Sequence, residues 1–309
     1  MFLSTVLLAL LSVCSVTHAS LNPRPLVLWH GLGDSASSPG ILQFTEEIKK
    51  VHPGIYLHSV YIDEDLDNDR RAGFYGNVND QVQFVSEQIS AIPELDDGFD
   101  AIGFSQGGQF LRAYVERYNS PPVHNLITFG SQHTGISDIP LCKPRDFVCQ
   151  VARRATKGAV YGHWAQENLV QAQYFRDPAN LETYYASNHF LTSINNELPE
   201  SRNQTYARNL ASLNKLVLVI FTEDKTVVPK ESAWFGSEVV DDELALNDHQ
   251  RAWQAGRTLV PMRSQPLYLG DWIGLRELDE RGGVVFEVCE GEHMQINDCW
   301  QDLVIRFVG

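Results

Sequence analysis

Short apolar runs that alternate with helical patterns limit the possible folds of this chain more than any other feature. Six runs are apolar or β-branched and end in turn residues: 26–29, 54–60, 99–104, 126–130, 215–221 and 284–288. Continuous apolar runs of this length are typical of strands buried in a parallel sheet, because helices cover both of its faces. The pattern therefore predicts an α/β fold with a mostly parallel central sheet and crossover helices.

The helical patterns lie between these runs. One apolar stripe has the spacing of a helix face: Val78, Val82, Val85 and Ile89. Asn77 or Asn79 could cap the helix that carries this stripe. A second pattern follows residue 104, and a last helix is predicted over residues 299–307.

The alternation stops between residues 131 and 210, where helical spacing and aromatic residues dominate. We interpret this stretch as a helical insertion that covers the sheet of a single domain, residues 20–309. A second irregular stretch, 228–283, contains Pro, Gly and acidic residues and is harder to place.

The charge balance argues against two classes of partner. The formal net charge is −15 at pH 7, which disfavours binding to nucleic acid or to anionic membranes by bulk electrostatics. The sequence pI is about 5.0, so the chain is nearly neutral in an acidic compartment. The sequence has no zinc, calcium, dinucleotide or P-loop pattern, and no metal or cofactor is predicted.

The N-terminus has the pattern of a secretory signal peptide. Residues 2–16 are uncharged and apolar, and Thr17 and Ala19 stand at the −3 and −1 positions of a cleavage site. Residues 1–19 are therefore predicted to be removed. A short membrane anchor is the alternative, although the run is shorter than the ~20 residues of a span. Asn203 begins an N-x-T acceptor for N-glycosylation in a polar stretch.

Four cysteines remain after that cleavage: Cys142, Cys149, Cys289 and Cys299. An even number in a secreted chain favours two disulfides, and closeness in sequence favours the pairs 142–149 and 289–299. Three pairings are formally possible, and free buried thiols are the alternative.

A serine lies between a predicted strand and a predicted helix in Gly103-Phe104-Ser105-Gln106-Gly107. This G-x-S-x-G pattern is a nucleophile elbow, in which small flanking residues let the backbone turn sharply and expose the serine hydroxyl. An ordinary glycine-rich turn is the alternative. We interpret Ser105 as the nucleophile.

A serine hydroxyl needs an imidazole to take its proton and a carboxylate to orient that imidazole. His293 follows the last predicted strand, and Asp224 follows the strand 215–221, so both lie where α/β sheets gather their active sites. We predict that these two residues complete the site. The alternative carboxylates are Glu223, Asp241, Asp242 and Asp271.

The loop after the first strand, residues 29–34, resembles the His-Gly loop that supplies an oxyanion donor. The backbone N–H groups of Leu32 and Gln106 are the predicted donors. His30 is interpreted as a residue that shapes this loop. A plain tight turn is the alternative.

Several segments together closely resemble the palmitoyl-protein thioesterases, lysosomal depalmitoylating enzymes with an α/β-hydrolase fold. They are Trp29–Asp34 (WHGLGD), 54–56, 77–82, 103–113 (GFSQGGQFLRA), 234–236 and 291–293, which span almost the whole mature chain. The resemblance implies that Ser105, Asp224 and His293 are catalytic and that Leu32 stands at the oxyanion position. Ser35 and Ala36 replace a cysteine pair that can follow this loop in the family.

The resemblance also implies an acyl groove formed largely by the helical insertion. The candidates are aromatic: Tyr161, Trp164, Tyr174, Phe175, Tyr184, Tyr185 and Phe190, or Trp234 and Phe235 from the later stretch. The alternative is that these side chains form only the small core of the insertion itself.

These observations lead to one hypothesis with two rivals. We expect a serine hydrolase of the secretory pathway, lysosomal, vacuolar or extracellular, that cleaves long-chain acyl thioesters from S-acylated proteins or peptides. One rival is an extracellular esterase or lipase that acts on oxygen esters. The other is a non-catalytic binding module with a hydrolase fold.

Overall fold

The computed structural model describes residues 23–138, 159–240 and 257–309. The predicted signal peptide, the Cys142–Cys149 pair and the alternative carboxylates Asp241 and Asp242 lie outside the described residues.

A parallel sheet forms the centre of the molecule. Its strands are β1 (Leu26–Trp29), β2 (Leu57–Ser59), β3 (Phe99–Phe104), β4 (Val123–Phe129), β5 (Lys215–Phe221) and β8 (Val284–Cys289). All five pairings of neighbouring strands are parallel, in the order β2-β1-β3-β4-β5-β8. The antiparallel pair β6 (Ser237–Val240) and β7 (Arg257–Val260) lies within the irregular stretch.

Helices follow most of the strands. Those described are α1 (Pro39–Val51), α2 (Leu66–Ala72), α3 (Val78–Ser90), α4 (Gln106–Arg117), α5 (His163–Asn168), α6 (Leu181–Ser187), α7 (Leu191–Ile194), α8 (Gln204–Ala211), α9 (Pro266–Leu269), α10 (Leu275–Glu280) and α11 (Cys299–Phe307). Short 3₁₀ turns cover 93–95, 170–174, 199–201, 230–234 and 262–264. The predicted bounds of the last helix are confirmed, and Asn77 caps α3 by accepting a hydrogen bond from the backbone N–H of Asn79.

The core has two apolar layers because successive residues of a strand point to opposite faces of the sheet. On one face, Val27 and Trp29 of β1 pack with α3 and α4, and the rings of Trp29 and Phe110 lie 5.5 Å apart. On the other face, Leu26 and Leu28 pack with α1 and α11. Helices on both faces of this sheet confirm the predicted α/β-hydrolase fold.

Three predicted strands differ from the observed ones at their ends. The run 284–288 continues by one residue, to Cys289. The run 54–60 pairs only over Leu57–Ser59. The run 126–130 begins earlier, at Val123, and ends at Phe129 because Gly130 turns the chain with a φ of 58°. Between β4 and β5, the described residues 159–214 contain helices and turns and add no strand to the sheet. The bounds of a separate insertion over 131–210 stay a prediction.

The strand order reverses direction at β1, which lies between β2 and β3. Open α/β sheets bind ligands at such a point, outside the carboxyl ends of the strands. The loop after β1 and the turn after β3 meet there.

Candidate active site

Ser105 occupies a sharp turn between β3 and α4. Its φ of 52° and ψ of −122° are strained for a non-glycine residue. Its backbone N–H donates to the Phe129 carbonyl at 2.8 Å, which ties the turn to the neighbouring strand. Ser105 is the residue just before α4, so its hydroxyl lies at the start of a helix, where the backbone N–H groups of the first turn have no intrahelical acceptor.

The flanking glycines are required by close backbone contacts. A Cβ at Gly103 would lie 2.2 Å from the Cα of Gly108, and a Cβ at Gly107 would lie 2.4 Å from the carbonyl oxygens of Trp29 and His30. Any side chain at either position would push β1, β3 and α4 apart. The G-x-S-x-G spacing therefore has a steric cause in this fold.

The structure brings Ser105, His293 and Asp224 together. The Nε2 atom of His293 is 3.0 Å from the Ser105 Oγ, and its Nδ1 is 2.6 Å from the Asp224 Oδ2. These contacts assign the ring proton to Nδ1, because a carboxylate can only accept. Nε2 is then free to accept the serine proton, which is the geometry that activates a serine nucleophile.

Backbone hydrogen bonds hold Asp224 in place. Its Oδ1 accepts from the N–H groups of Thr226 at 2.8 Å and Val227 at 3.0 Å. Among the alternatives, Glu223 is exposed, and Asp271 accepts backbone bonds from the start of α10. Of the described carboxylates that were considered, Asp224 is the one that contacts the imidazole.

The loop that carries His293 is closed by a disulfide between Cys289 and Cys299, as predicted for this pair. Cys289 ends β8, and Cys299 begins α11. The same loop is joined to the loop after β5, since Glu223 N–H donates to the Gly291 carbonyl at 2.9 Å. Covalent and backbone links thus set the position of the imidazole.

The two predicted oxyanion donors border the serine. Gln106 is the first residue of α4, so its N–H is one of those that no intrahelical acceptor satisfies. Leu32 lines the same cavity as Ser105, and the preceding Gly31 approaches so closely that a Cβ there would lie 3.2 Å from the Ser105 Cβ. Hydrogen bonds of the Gln106 side chain with the Gly73 carbonyl and the Tyr174 hydroxyl, both 3.2 Å, fix the start of the helix.

His30 contacts a buried carboxylate and the backbone of its own loop. Its Nδ1 is 3.1 Å from the Gly31 carbonyl oxygen, and its Nε2 is 3.2 Å from the Asp69 Oδ2. Burial alone would raise the pKa of Asp69, but hydrogen bonds from His30 and from the N–H groups of Ile62 and Ala36 hold it below its usual value. These contacts stiffen the loop after β1, in agreement with a shaping role for His30.

A cavity of about 540 Å³ opens beside the serine. Its polar lining includes Ser105, His293, Gln132 and Gln171. Its apolar lining comes from α1, the strand before the serine, the loop after β4, the loop after Asp224 and the loop after His293: Ile41, Phe44, Phe104, Ile136, Val227, Met294 and Ile296. The shape and lining suit a flexible apolar chain that ends at the serine.

These apolar residues were not predicted as cavity lining from the sequence. Met294 and Ile296 lie one and three residues after the histidine, and Ile41 and Phe44 are three apart on an amphipathic helix. Both patterns are visible in the sequence, but they are equally typical of an ordinary core.

The predicted groove aromatics have several locations. Tyr174 lines the cavity. Phe175, Phe190, Tyr184 and Phe235 are buried in the core, where Phe190 packs on Phe110 and Phe235 stacks on His133. Tyr161 and Trp234 are partly buried against the same core, whereas Trp164 and Tyr185 are exposed. A role in substrate binding stays a prediction for each of these residues.

The glycosylation acceptor Asn203 is exposed at the start of α8, where its side chain caps the helix by accepting from the Thr205 N–H at 2.9 Å. Among the described residues, no helix is long and apolar enough to cross a bilayer.

Comparisons with known proteins identify a family for this chain. A family model for palmitoyl protein thioesterases matches residues 25–293, a span that includes Ser105, Asp224 and His293. Palmitoyl-protein thioesterase 1 of Caenorhabditis elegans is 38% identical over 293 residues, 94% of this chain and 93% of the relative. Palmitoyl-protein thioesterase 3 of Dictyostelium discoideum is 34% identical, over 92% and 88%. A lysosomal thioesterase homologue of Drosophila melanogaster is 29% identical, over 92% and 89%.

Proposed function

Since the chain belongs to the palmitoyl protein thioesterase family, we propose that it hydrolyses thioesters between long-chain fatty acids and the cysteines of proteins or peptides. The contacts of His293 with Ser105 at 3.0 Å and with Asp224 at 2.6 Å carry this proposal. They join the three groups that a serine hydrolase needs, from three separate loops of the sheet.

The first stage forms an acyl-enzyme. The Ser105 Oγ attacks the thioester carbonyl carbon while His293 Nε2 takes the proton of the hydroxyl. Asp224 stabilises the imidazolium that results. The N–H groups of Leu32 and Gln106 hold the oxyanion. The carbon–sulfur bond then breaks, and the cysteine thiol leaves with the proton from His293.

The second stage releases the fatty acid. His293 takes a proton from water, the hydroxide attacks the acyl carbon, and Ser105 regains its proton when the ester bond breaks. The apolar cavity holds the chain throughout, and each buried methylene contributes about 0.8 kcal/mol. Affinity should therefore rise with acyl length until the chain exceeds the cavity.

Substitution of the orienting carboxylate tests its assignment against two of the alternative carboxylates. Asp224→Asn should lower kcat about 10³- to 10⁴-fold on a palmitoyl thioester with little change in KM, because the imidazole loses its orientation. Asp271→Asn and Glu223→Gln are matched controls and should stay within about twofold of the wild type. Equal losses in all three variants would contradict the assignment.

Labelling with a fluorophosphonate tests the nucleophile itself. The wild-type protein should be labelled and Ser105→Ala should not, while Ser105→Ala also loses hydrolysis by about 10⁶-fold. A wild-type protein without labelling would favour a non-catalytic module. The remaining rival is an esterase or lipase that acts on oxygen esters. Matched thioester and oxygen-ester substrates of increasing acyl length would distinguish the two activities, and a preference for short oxygen esters would contradict the proposal.

The proposed location is the secretory pathway, with delivery to a lysosome or vacuole or to the exterior. The predicted signal peptide over residues 1–19, the Cys289–Cys299 disulfide and the named lysosomal relative from Drosophila melanogaster support it. A glycan at Asn203 is proposed on the same grounds, and a mass shift after glycosidase treatment that is absent from Asn203→Gln would verify it.

A further inference from the structure

Four large hydrophobic side chains on the cavity-lining loop after β1 and on two neighbouring segments are exposed. Leu32 is 39% exposed, Phe74 42%, Tyr75 53% and Trp164 64%. We call this group the rim. The rim is assembled from three separate segments: the loop after β1, the loop between α2 and α3, and helix α5.

Backbone hydrogen bonds join two of the three rim segments, the loop between α2 and α3 and the end of α5. The Val170 N–H donates to the Phe74 carbonyl at 3.1 Å, and the Gly76 N–H donates to the Asn168 carbonyl at 3.0 Å. The Asn168 side chain in turn donates to the Trp164 carbonyl at 2.9 Å. The exposed rings therefore belong to an ordered surface.

Two members of the rim, Leu32 and Phe74, border the cavity. Leu32 lines it, and the Phe74 ring packs over Gly33, where a Cβ would lie 3.5 Å from it. Gln171, which lines the cavity, donates to the Gly73 carbonyl at 2.9 Å, next to Phe74. A molecule that enters the cavity from this side would pass the rim.

The chemistry of the substrate identifies what the rim contacts. The acyl chain of an S-acylated protein lies in a lipid leaflet, and each methylene that leaves it through water costs free energy. If the entrance of the cavity contacted the leaflet directly, the acyl chain would enter the cavity without exposure to water. Trp and Tyr rings, apolar with one polar atom, are the side chains that favour the boundary between lipid and water.

The net charge of the chain favours a zwitterionic surface over an anionic one. At pH 7 the whole chain carries a net charge of −15, so it has no strong attraction to anionic lipid. Beside the rim, the Arg71 guanidinium lies over the Tyr75 ring at 5.8 Å, and Arg70 is paired at 3.8 Å with the exposed Asp67. We expect apolar contact to supply most of the binding.

We propose that the rim docks the protein on a zwitterionic lipid surface, so that an acyl chain passes from the leaflet into the cavity. The proposal rests on the proposed function for its substrate. The rim variants chosen to test it spare Leu32, because its backbone belongs to the proposed oxyanion site, and Phe74, because it packs on the loop after β1.

Sedimentation with phosphatidylcholine vesicles tests the docking without any need for catalysis. In the full chain carrying Ser105→Ala, adding Tyr75→Ala and Trp164→Ala should weaken vesicle binding about tenfold. The control pair Leu269→Ala and Ile305→Ala removes side chains that are 59% and 62% exposed on α9 and α11, and should leave binding unchanged. Raising the salt to about 0.5 M should also leave it unchanged, because apolar contact is not screened.

An activity comparison completes the test. Tyr75→Ala alone should keep its kcat/KM on a water-soluble short-chain thioester but lose about threefold on a palmitoylated peptide held in phosphatidylcholine vesicles. Equal vesicle binding by the rim and control variants, or no binding by either, would overturn the docking proposal. Failure to hydrolyse the soluble thioester would instead overturn the proposed function, so the two failures are distinct.

Discussion

Two buried regions of the molecule are stabilised by different forces. One is the turn at Ser105, between β3 and α4, and the other lies between α4 and the helices that follow β4. Backbone atoms pack directly on backbone atoms around Gly103 and Gly107, with no room for a methyl group. The other region, which we call the polar layer, consists of charged and amide side chains: Arg112, Glu116, Arg176, Asn195 and Glu197.

The contacts of the polar layer join α4 to the helices above it. Arg112 is fully buried and donates to Glu116 at 2.9 Å, to the His133 carbonyl at 2.9 Å and to Asn195 at 3.0 Å. Glu197 pairs with Arg176 at 3.5 Å. Steric packing does not depend on protonation, whereas a layer of charges does. The two regions should therefore respond differently to substitution and to pH.

The largest expected effect is at the serine turn. Gly107→Ala places a Cβ 2.4 Å from two backbone oxygens that cannot move independently. We expect a loss of more than about 4 kcal/mol in the free energy of unfolding, or no folded protein, together with loss of fluorophosphonate labelling. Urea denaturation and labelling would measure both.

Gly40→Ala is the matched control for this substitution. A Cβ there meets nothing within 4 Å and lies in the first turn of α1. Its stability should equal or exceed that of the wild type by about 0.5 kcal/mol, because alanine favours a helix. A Gly107→Ala protein as stable as this control would refute the steric account.

The next effect is in the polar layer. Arg112→Met leaves Glu116 buried without its cation, which should lower the free energy of unfolding by about 3–5 kcal/mol. Arg112→Met with Glu116→Leu removes both charges and should recover most of that loss. If the double variant were as unstable as the sum of the two single ones, the ion pair would not be the cause.

The smallest effect is the dependence of stability on pH. Burial raises the pKa of Glu116 to about 7 despite Arg112, and burial raises the pKa of Asp100, at the start of β3, to about 6. Between the ordinary carboxyl range and these values, the folded chain holds protons that the unfolded chain has released. These two carboxyls therefore contribute stability that is fully present at acidic pH and is lost as pH rises toward 7. His133, whose pKa is lowered by burial well below its usual value, contributes in the opposite direction.

Urea denaturation at pH 5.0 and 7.5 would measure this effect. From pH 7.5 to 5.0, we expect the free energy of unfolding of the wild type to rise by about 1–3 kcal/mol relative to that of Glu116→Gln, because only the wild type carries the Glu116 carboxyl. Glu182→Gln, an exposed change on α6, should have the same pH dependence as the wild type. Equal pH dependence of the wild type and Glu116→Gln would contradict the role of Glu116.

The fold and the serine turn could be predicted from the sequence because their signals are local. Residues 99–107 contain the strand, the turn and the start of the helix in one continuous stretch, and each glycine has a steric reason within it. Strand ends were predicted less well, since the pairing that defines them depends on the neighbouring strand, as at Val123.

The cavity wall was not predictable because it joins residues distant in sequence. Ile41 and Ile296 meet at one cavity only after the sheet brings α1 beside the loop after β8. Most aromatics of the predicted groove are instead buried in the core or lie outside the cavity, and composition alone could not separate these locations. Arg112 was also missed, because a buried arginine and a surface arginine look alike in a sequence.

The disulfide that closes the loop around His293 makes the imidazole sensitive to the redox state of its surroundings. The histidine lies between two cysteines ten residues apart, and the bond between the Glu223 N–H and the Gly291 carbonyl also holds its loop. In a thiol-rich cytosol, reduction would remove the covalent restraint and leave the backbone bond. A chain that strayed into the cytosol would thus hold its proton acceptor less firmly, and we expect it to be less active on the acyl groups of cytosolic proteins.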